Sequence, residues 1–197
     1  MIVHELPLPL ELREKHPYFI FGRYEAEAEI RAALAEAYGM VHGQYRTTHM
    51  DGMVRWANAF ENLVRSTERY GTGYVNRGGQ PRLIWPGLTG ESAEIIVLRG
   101  RPNDTGFDTS ERGIRSEEHS QLALMSFSNE TGEPMTTGAY LFHNEADEEG
   151  HCEAWFVAQG QTREGWEHVL CDECVYLGRM RYLGSGGGAS EPIDIRP

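Results

Sequence analysis

Cys171-Asp172-Glu173-Cys174 sets two thiols three residues apart in a chain of 197 residues that has only three cysteines. Two thiolates at that spacing can share one tetrahedral zinc ion, and His151, twenty residues upstream, offers a nitrogen donor for a third position. A thioredoxin-type redox pair fits less well. Such a pair sits between a strand and a helix, and here two acids separate the thiols, which raises thiol pKa and blunts nucleophilicity. His143, His168 and Cys152 are alternate donors of the same kind, more economically read as core or surface residues.

His151-Cys152-Glu153 is an HxE. Taken with the CxxC and the hairpin expected before it, the segment from about 121 to 183 resembles the zinc-dependent nucleoside and nucleobase deaminase superfamily, whose signature is an HxE on a helix followed by PCxxC. The resemblance implies that His151, Cys171 and Cys174 bind zinc and that Glu153 is the catalytic proton shuttle for a zinc-bound water. It also implies that Asn144 lies near the substrate sugar and that a cytosine- or adenine-type base is attacked by zinc hydroxide. The chain departs from the family at two points: Leu170 stands where the family has proline, and only seventeen residues separate Glu153 from Cys171. The family geometry then requires 154–159 to be an outgoing helix, 160–165 a turn and 166–170 a returning strand. A nine-residue helix travels about 13 Å and four or five strand residues return roughly 13–16 Å, which just closes that loop. With eight histidines and twenty-four glutamates, one HxE is close to chance, so the surprise rests on the CxxC. Three readings stay open: a protein with no metal, ranked first, then a structural metal clip through Cys171 and Cys174, then the deaminase. The sequence establishes no cofactor; zinc is the candidate these residues raise.

The elements that must position these groups fall into two halves. Tyr24 to Tyr38 is dense in Ala and Glu, with Ala26, Ile30, Ala33, Leu34 and Ala37 on one face and Gly39 placed as a C-cap, which predicts a helix. A second helix is expected from about Met53 to Tyr70, with Asp51 as N-cap, Met53, Ala57, Phe60 and Val64 on a stripe widened by Trp56 and Leu63, and Gly71 as the stop. After Gly71 the period shortens: 73–76, 82–85, 94–99, 122–128 and 137–143 read as strands separated by Gly and Pro signals, the last two forming an antiparallel hairpin. The polar stretch 100–116 reads as a long exposed loop and 145–150 as an acidic one. The stretches 151–159 and 171–183 satisfy helix and strand templates equally poorly. The expected class is therefore α+β, two N-terminal helices followed by a mainly antiparallel β region with hairpins. In this reading residues 1–23 form an extended, proline-punctuated arm, 24–183 a single domain and 184–197 a Gly-rich tail.

Charge bounds the partners. Eighteen basic residues, seventeen of them Arg, face thirty acidic ones, a net charge of -12. The deficit is uneven, -2 over residues 1–98 (10 basic, 12 acidic) and -10 over 99–197 (8 basic, 18 acidic). Nucleic-acid affinity comes mainly from neutralising phosphates, so general DNA or RNA binding is not expected. The acidic stretch 116–173, with Arg163 as its single basic residue apart from the histidines, reads first as a solvated surface; an acidic decoy or inhibitor that imitates a nucleic-acid backbone is the functional alternative. No apolar run approaches the roughly 18 residues of a membrane span, and the start of the chain lacks the basic region of a secretory signal. An odd cysteine count suits a reducing compartment, so the expected location is the cytoplasm, or a particle assembled there.

The apolar arm needs cover, either on its own domain or on a neighbour, and Ile193-Asp194-Ile195 in the tail is strand-like. These ends suit exchange between subunits. The leading functional expectation is thus a non-enzymatic structural subunit of a larger symmetric assembly, such as a virion head, connector or tail component. Its partners would be copies of itself or other subunits. The deaminase and the acidic decoy are the alternatives.

Overall fold

The computed structural model describes residues 1–15, 17–22, 24–41, 48–77, 80–87, 90–109, 126–127, 134–144, 147, 149, 151–162 and 167–181. The chain runs through β1 (Ile2–Glu5), a one-turn helix α1 (Leu10–Arg13), a 3-10 segment (Tyr18–Gly22), α2 (Tyr24–Val41), α3 (Thr48–Thr67) and a 3-10 turn (Glu68–Tyr70). It continues through β2 (Gly73–Arg77), β3 (Gln80–Pro86), β4 (Ser92–Pro102), β5 (Gly106–Thr109), β6 (Ser126–Phe127), β7 (Pro134–His143), β8 (His151–Thr162), β9 (His168–Leu170) and β10 (Glu173–Arg181).

Five of the strands close a ring. β4 pairs with β5, β5 with β9, β9 with β8, β8 with β7, and β7 returns to β4 in parallel register, Ile95 opposite Ala139 through Arg99 opposite His143. Two wings extend the ring: β3 and β2 continue antiparallel from β4, while β10 continues from β8 and carries β1, in parallel, at its outer edge. The expected α+β class with two leading helices and an antiparallel hairpin region is corrected by this topology. The protein is mostly β, a strand precedes the helix pair, and the sheet closes into a barrel through a parallel contact. Hairpin signals reveal neighbours in sequence; the β4–β7 pairing joins segments 44 residues apart and leaves no local signature.

Two cores share the central strands. In β4, Ile95 and Val97 point to the helix side and Ile96 and Leu98 into the barrel; in β8, Ala154, Phe156 and Ala158 alternate with Trp155 and Val157 in the same way. Both faces are buried, so these strands read as continuous apolar runs in place of the alternation that marks a half-exposed strand. The barrel interior is filled by side chains. Phe107 stacks on Phe142 at 4.3 Å between ring centroids, Phe142 on Tyr140 at 5.7 Å, and Trp155 leans on Phe107 at 5.8 Å.

The helices cover the outer face. All five residues of the expected α2 stripe, Ala26, Ile30, Ala33, Leu34 and Ala37, are buried, and α2 continues past Gly39 to Val41. In α3 the buried side is Ala59, Phe60 and Leu63, with Val64 half-buried and Ala57 exposed. Trp56 Nε1 donates to the Val97 carbonyl at 2.8 Å, tying α3 to β4. Gly71 ends the helical run with φ 83°, as expected of the stop. Within the expected arm, Leu8, Tyr18, Ile20 and Phe21 are buried in the same core as the helices. Of the expected loops, 103–105 is a tight turn between β4 and β5, while 110–116 and the tail 184–197 lie outside the described residues.

A barrel this narrow leaves no space for a side chain at Gly160. A Cβ there would sit 2.6 Å from Val169 Cγ1 and 2.7 Å from the Tyr140 ring, both locked in the packed interior. Gly160→Ala is therefore expected to lower unfolding stability by about 1–3 kcal/mol, the usual cost of overpacking a core. Gly73→Ala, with nothing within 4 Å of the new atom, serves as control and is expected to leave the urea midpoint unchanged or higher. Equal midpoints for Gly160→Ala and wild type would contradict the barrel packing.

Candidate functional site

Cys171 and Cys174 flank the bend between β9 and β10, and both thiols belong to the barrel core. Burial pushes the Cys171 thiol up to about 12 and the Cys174 thiol up to about 11. Groups so protonated are poor nucleophiles at neutral pH. The three cysteines are free. Cys152 lies on the opposite face of the sheet, under the helices, and burial pushes it to about 11 as well.

His151 and Glu153 stand on a strand, where the resemblance called for a helix. The whole of 151–162 is β8, so the outgoing helix expected at 154–159 is absent. Register then sets the separation: His151 is opposite Arg181 and Glu153 opposite Arg179 on β10, whereas Cys174 lies at the other end of that strand. Seven strand residues amount to about 23 Å. His151, Cys171 and Cys174 thus do not converge on one ion, and no zinc chemistry is derived from them. Glu153 has local partners instead: its carboxylate accepts from the Tyr176 hydroxyl at 2.7 Å, and its backbone nitrogen donates to Asn144 Oδ1 at 2.7 Å. Burial, then that carboxylate, pushes the Tyr176 hydroxyl up to about 12.

Asp147, Glu149 and His151 are the one set of three metal-type donors that converge among the described residues. A cation already serves them. Arg179 contacts Asp147 at 2.5 Å, Glu149 at 3.6 Å and His151 Nδ1 at 3.3 Å. The His151 backbone nitrogen donates to Asp147 Oδ1, the main reason the Asp147 carboxyl titrates below its ordinary range. This is an ion-pair corner that pins the start of β8 to β10. His168 pairs with Asp108 at 2.5 Å across β9 and β5, a surface contact.

A second polar cluster was invisible to spacing. Glu173, inside the CxxC, accepts from His4 Nε2 at 3.0 Å and from the Tyr18 hydroxyl at 2.9 Å. The His4 bond, then Tyr18, holds the Glu173 carboxyl below its ordinary range, while burial and Glu173 raise Tyr18. The partners lie 169 and 155 residues away in sequence, so only the β1–β10 pairing reveals them.

Between the helices and the sheet, Ile20, Ile30, Leu63, Trp85 and Phe156 border an apolar gap of about 10 Å³, room for one water at most. No family model, no curated protein and no solved structure matches the chain.

His143, at the end of β7, is buried, and burial brings its imidazole down from 6.5 to about 4. The unfolded chain therefore binds a proton at higher pH than the folded one. Stability is complete above pH 6.5 and is lost as pH falls through the folded value. Between pH 6.5 and 5 the loss attributable to His143 is roughly 2 kcal/mol. Chemical denaturation at pH 7 and pH 5 is expected to show this drop in the wild type and a smaller one in His143→Gln. The same drop in both proteins would exclude His143 as its source.

Proposed function

We propose that this chain is a non-enzymatic structural subunit of a larger symmetric assembly, of the kind from which virion heads, connectors and tails are built, and that it joins copies of itself through the open edges of its sheet. The observation that carries the reading is the state of β1 and β2. Among the described residues, each pairs on one side alone, and each displays large apolar side chains: Ile2 is 63% and Val3 51% exposed, and Tyr74 is 64% exposed. Leu10, just after β1, is 69% exposed.

An unpaired strand edge with apolar side chains is a template for another chain, and monomeric proteins commonly blunt it with charge or proline. The β1 edge of one copy laid against the β2 edge of the next is a head-to-tail contact, which closes into a ring when the rotation per step divides a full turn. The filled barrel and the protonated thiols support a packing role over a catalytic one. No helix among the described residues is long and apolar enough to cross a membrane.

Because Leu8 is part of the subunit's own core and Leu6 and Leu12 pack against it, removing the first seventeen residues would damage the fold along with any contact. Point changes at exposed positions separate the two. Sedimentation and native mass spectrometry are expected to give a mass several times that of one chain. The double variant Ile2→Glu/Val3→Glu should return the single-chain mass with an unchanged far-ultraviolet circular dichroism spectrum. A wild-type protein that sediments as one chain at high concentration would remove the proposal.

A further inference from the structure

Independently of assembly, the end of the barrel beside β1 collects sulfur. Cys171 Sγ lies 3.3 Å from Met1 Sδ. Cys171 and Cys174 are 7% and 0% exposed within the barrel core, and Met1 packs against that core from the edge. Register carries the second thiol toward the same place: Cys174 is opposite Val3 on β1, two residues from Met1, and both thiols belong to the barrel core against which Met1 packs.

The backbone under these three side chains is pinned at several points. The Ile2 nitrogen donates to the Asp172 carbonyl at 2.6 Å, the Cys171 nitrogen to the Thr105 carbonyl at 3.0 Å, and the Met1 nitrogen to the Asp104 carbonyl at 3.1 Å. Val3 pairs with Cys174, which holds β1 in register beside the CxxC. A chelating loop needs this kind of external support, because ligands positioned before binding lose little entropy when the ion arrives.

We propose that Cys171, Cys174 and the Met1 thioether form a three-sulfur site for a soft monovalent cation, with copper(I) as the biological occupant. Thiolate and thioether donors together select copper(I), whereas zinc prefers four nitrogen or sulfur ligands in a tetrahedron and takes thioethers poorly. Among the described residues no histidine or carboxylate converges with the two thiols to complete such a tetrahedron. On binding, the two S–H groups release their protons to solvent, two copper–thiolate bonds form, the thioether donates a lone pair, and the copper stays monovalent throughout. Because both thiols must give up a proton to bind, metal uptake is pH-dependent.

Anaerobic titration with copper(I) in the presence of the chromophoric chelator bicinchoninate tests the site directly. One copper(I) per chain should be withdrawn from the chelator. Cys171→Ser and Cys174→Ser should each weaken binding more than 100-fold, while Cys152→Ser, on the far face of the sheet, should leave it unchanged. Copper-edge X-ray absorption of selenomethionine-labelled wild-type protein reads the third ligand without any substitution: one copper–selenium path is expected beside two copper–sulfur paths. Copper left with the chelator, equal losses in all three cysteine variants, a spectrum without selenium, or preferential retention of zinc would each overturn the assignment.

Discussion

Burial on both faces of β4 and β8 is the constraint from which the rest of this structure follows. Odd and even residues of one strand must satisfy two different cores at once, the helices on one side and the aromatic column of the barrel on the other. A slip of one residue would exchange Ile95 and Val97 with Ile96 and Leu98 and spoil both packings together, so register is specified twice over. The requirement explains why the small residues sit where they do. Ala154 and Ala158 let the helix side approach, and Gly160 admits Val169 and Tyr140.

The same constraint decides what could be read in advance. The helix pair was legible because α2 and α3 each bury one stripe, and Ala26 through Ala37 fall at helical spacing. Gly71 was legible as a stop because a left-handed residue after a helix has few alternatives to glycine. By contrast, 154–158 in β8 and 174–175 in β10 are buried on both sides, which erases the period-two signal there and leaves helix and strand templates tied. Barrel closure was illegible for a different reason. The parallel β4–β7 contact and the β1–β10 contact pair segments with no shared turn, so nothing local announces them.

The chemistry was legible only in part. The CxxC does mark a place where structure concentrates, yet its neighbours are Met1, His4 and Tyr18, brought from the opposite end of the chain. His151 and Glu153, adjacent in the motif-based reading, are drawn instead to Arg179 and Tyr176 by the β8–β10 register. Spacing along a chain predicts convergence only when the intervening element is known, and here a strand replaced the helix that would have turned the pair toward the cysteines.

The pairing of Ile2–Glu5 with Glu173–Tyr176 also governs the order of events during synthesis. During synthesis β1 has no strand partner until β10 has emerged, whereas α2 and α3 can pack before then. Contacts of such wide separation form slowly, since a long loop must close before any of them is rewarded. β1 is therefore among the last strands to be seated, and until β10 is made it travels unpaired with Ile2 and Val3 exposed. A nascent chain of this design has reason to need a holding chaperone, or a completed neighbour, at β1.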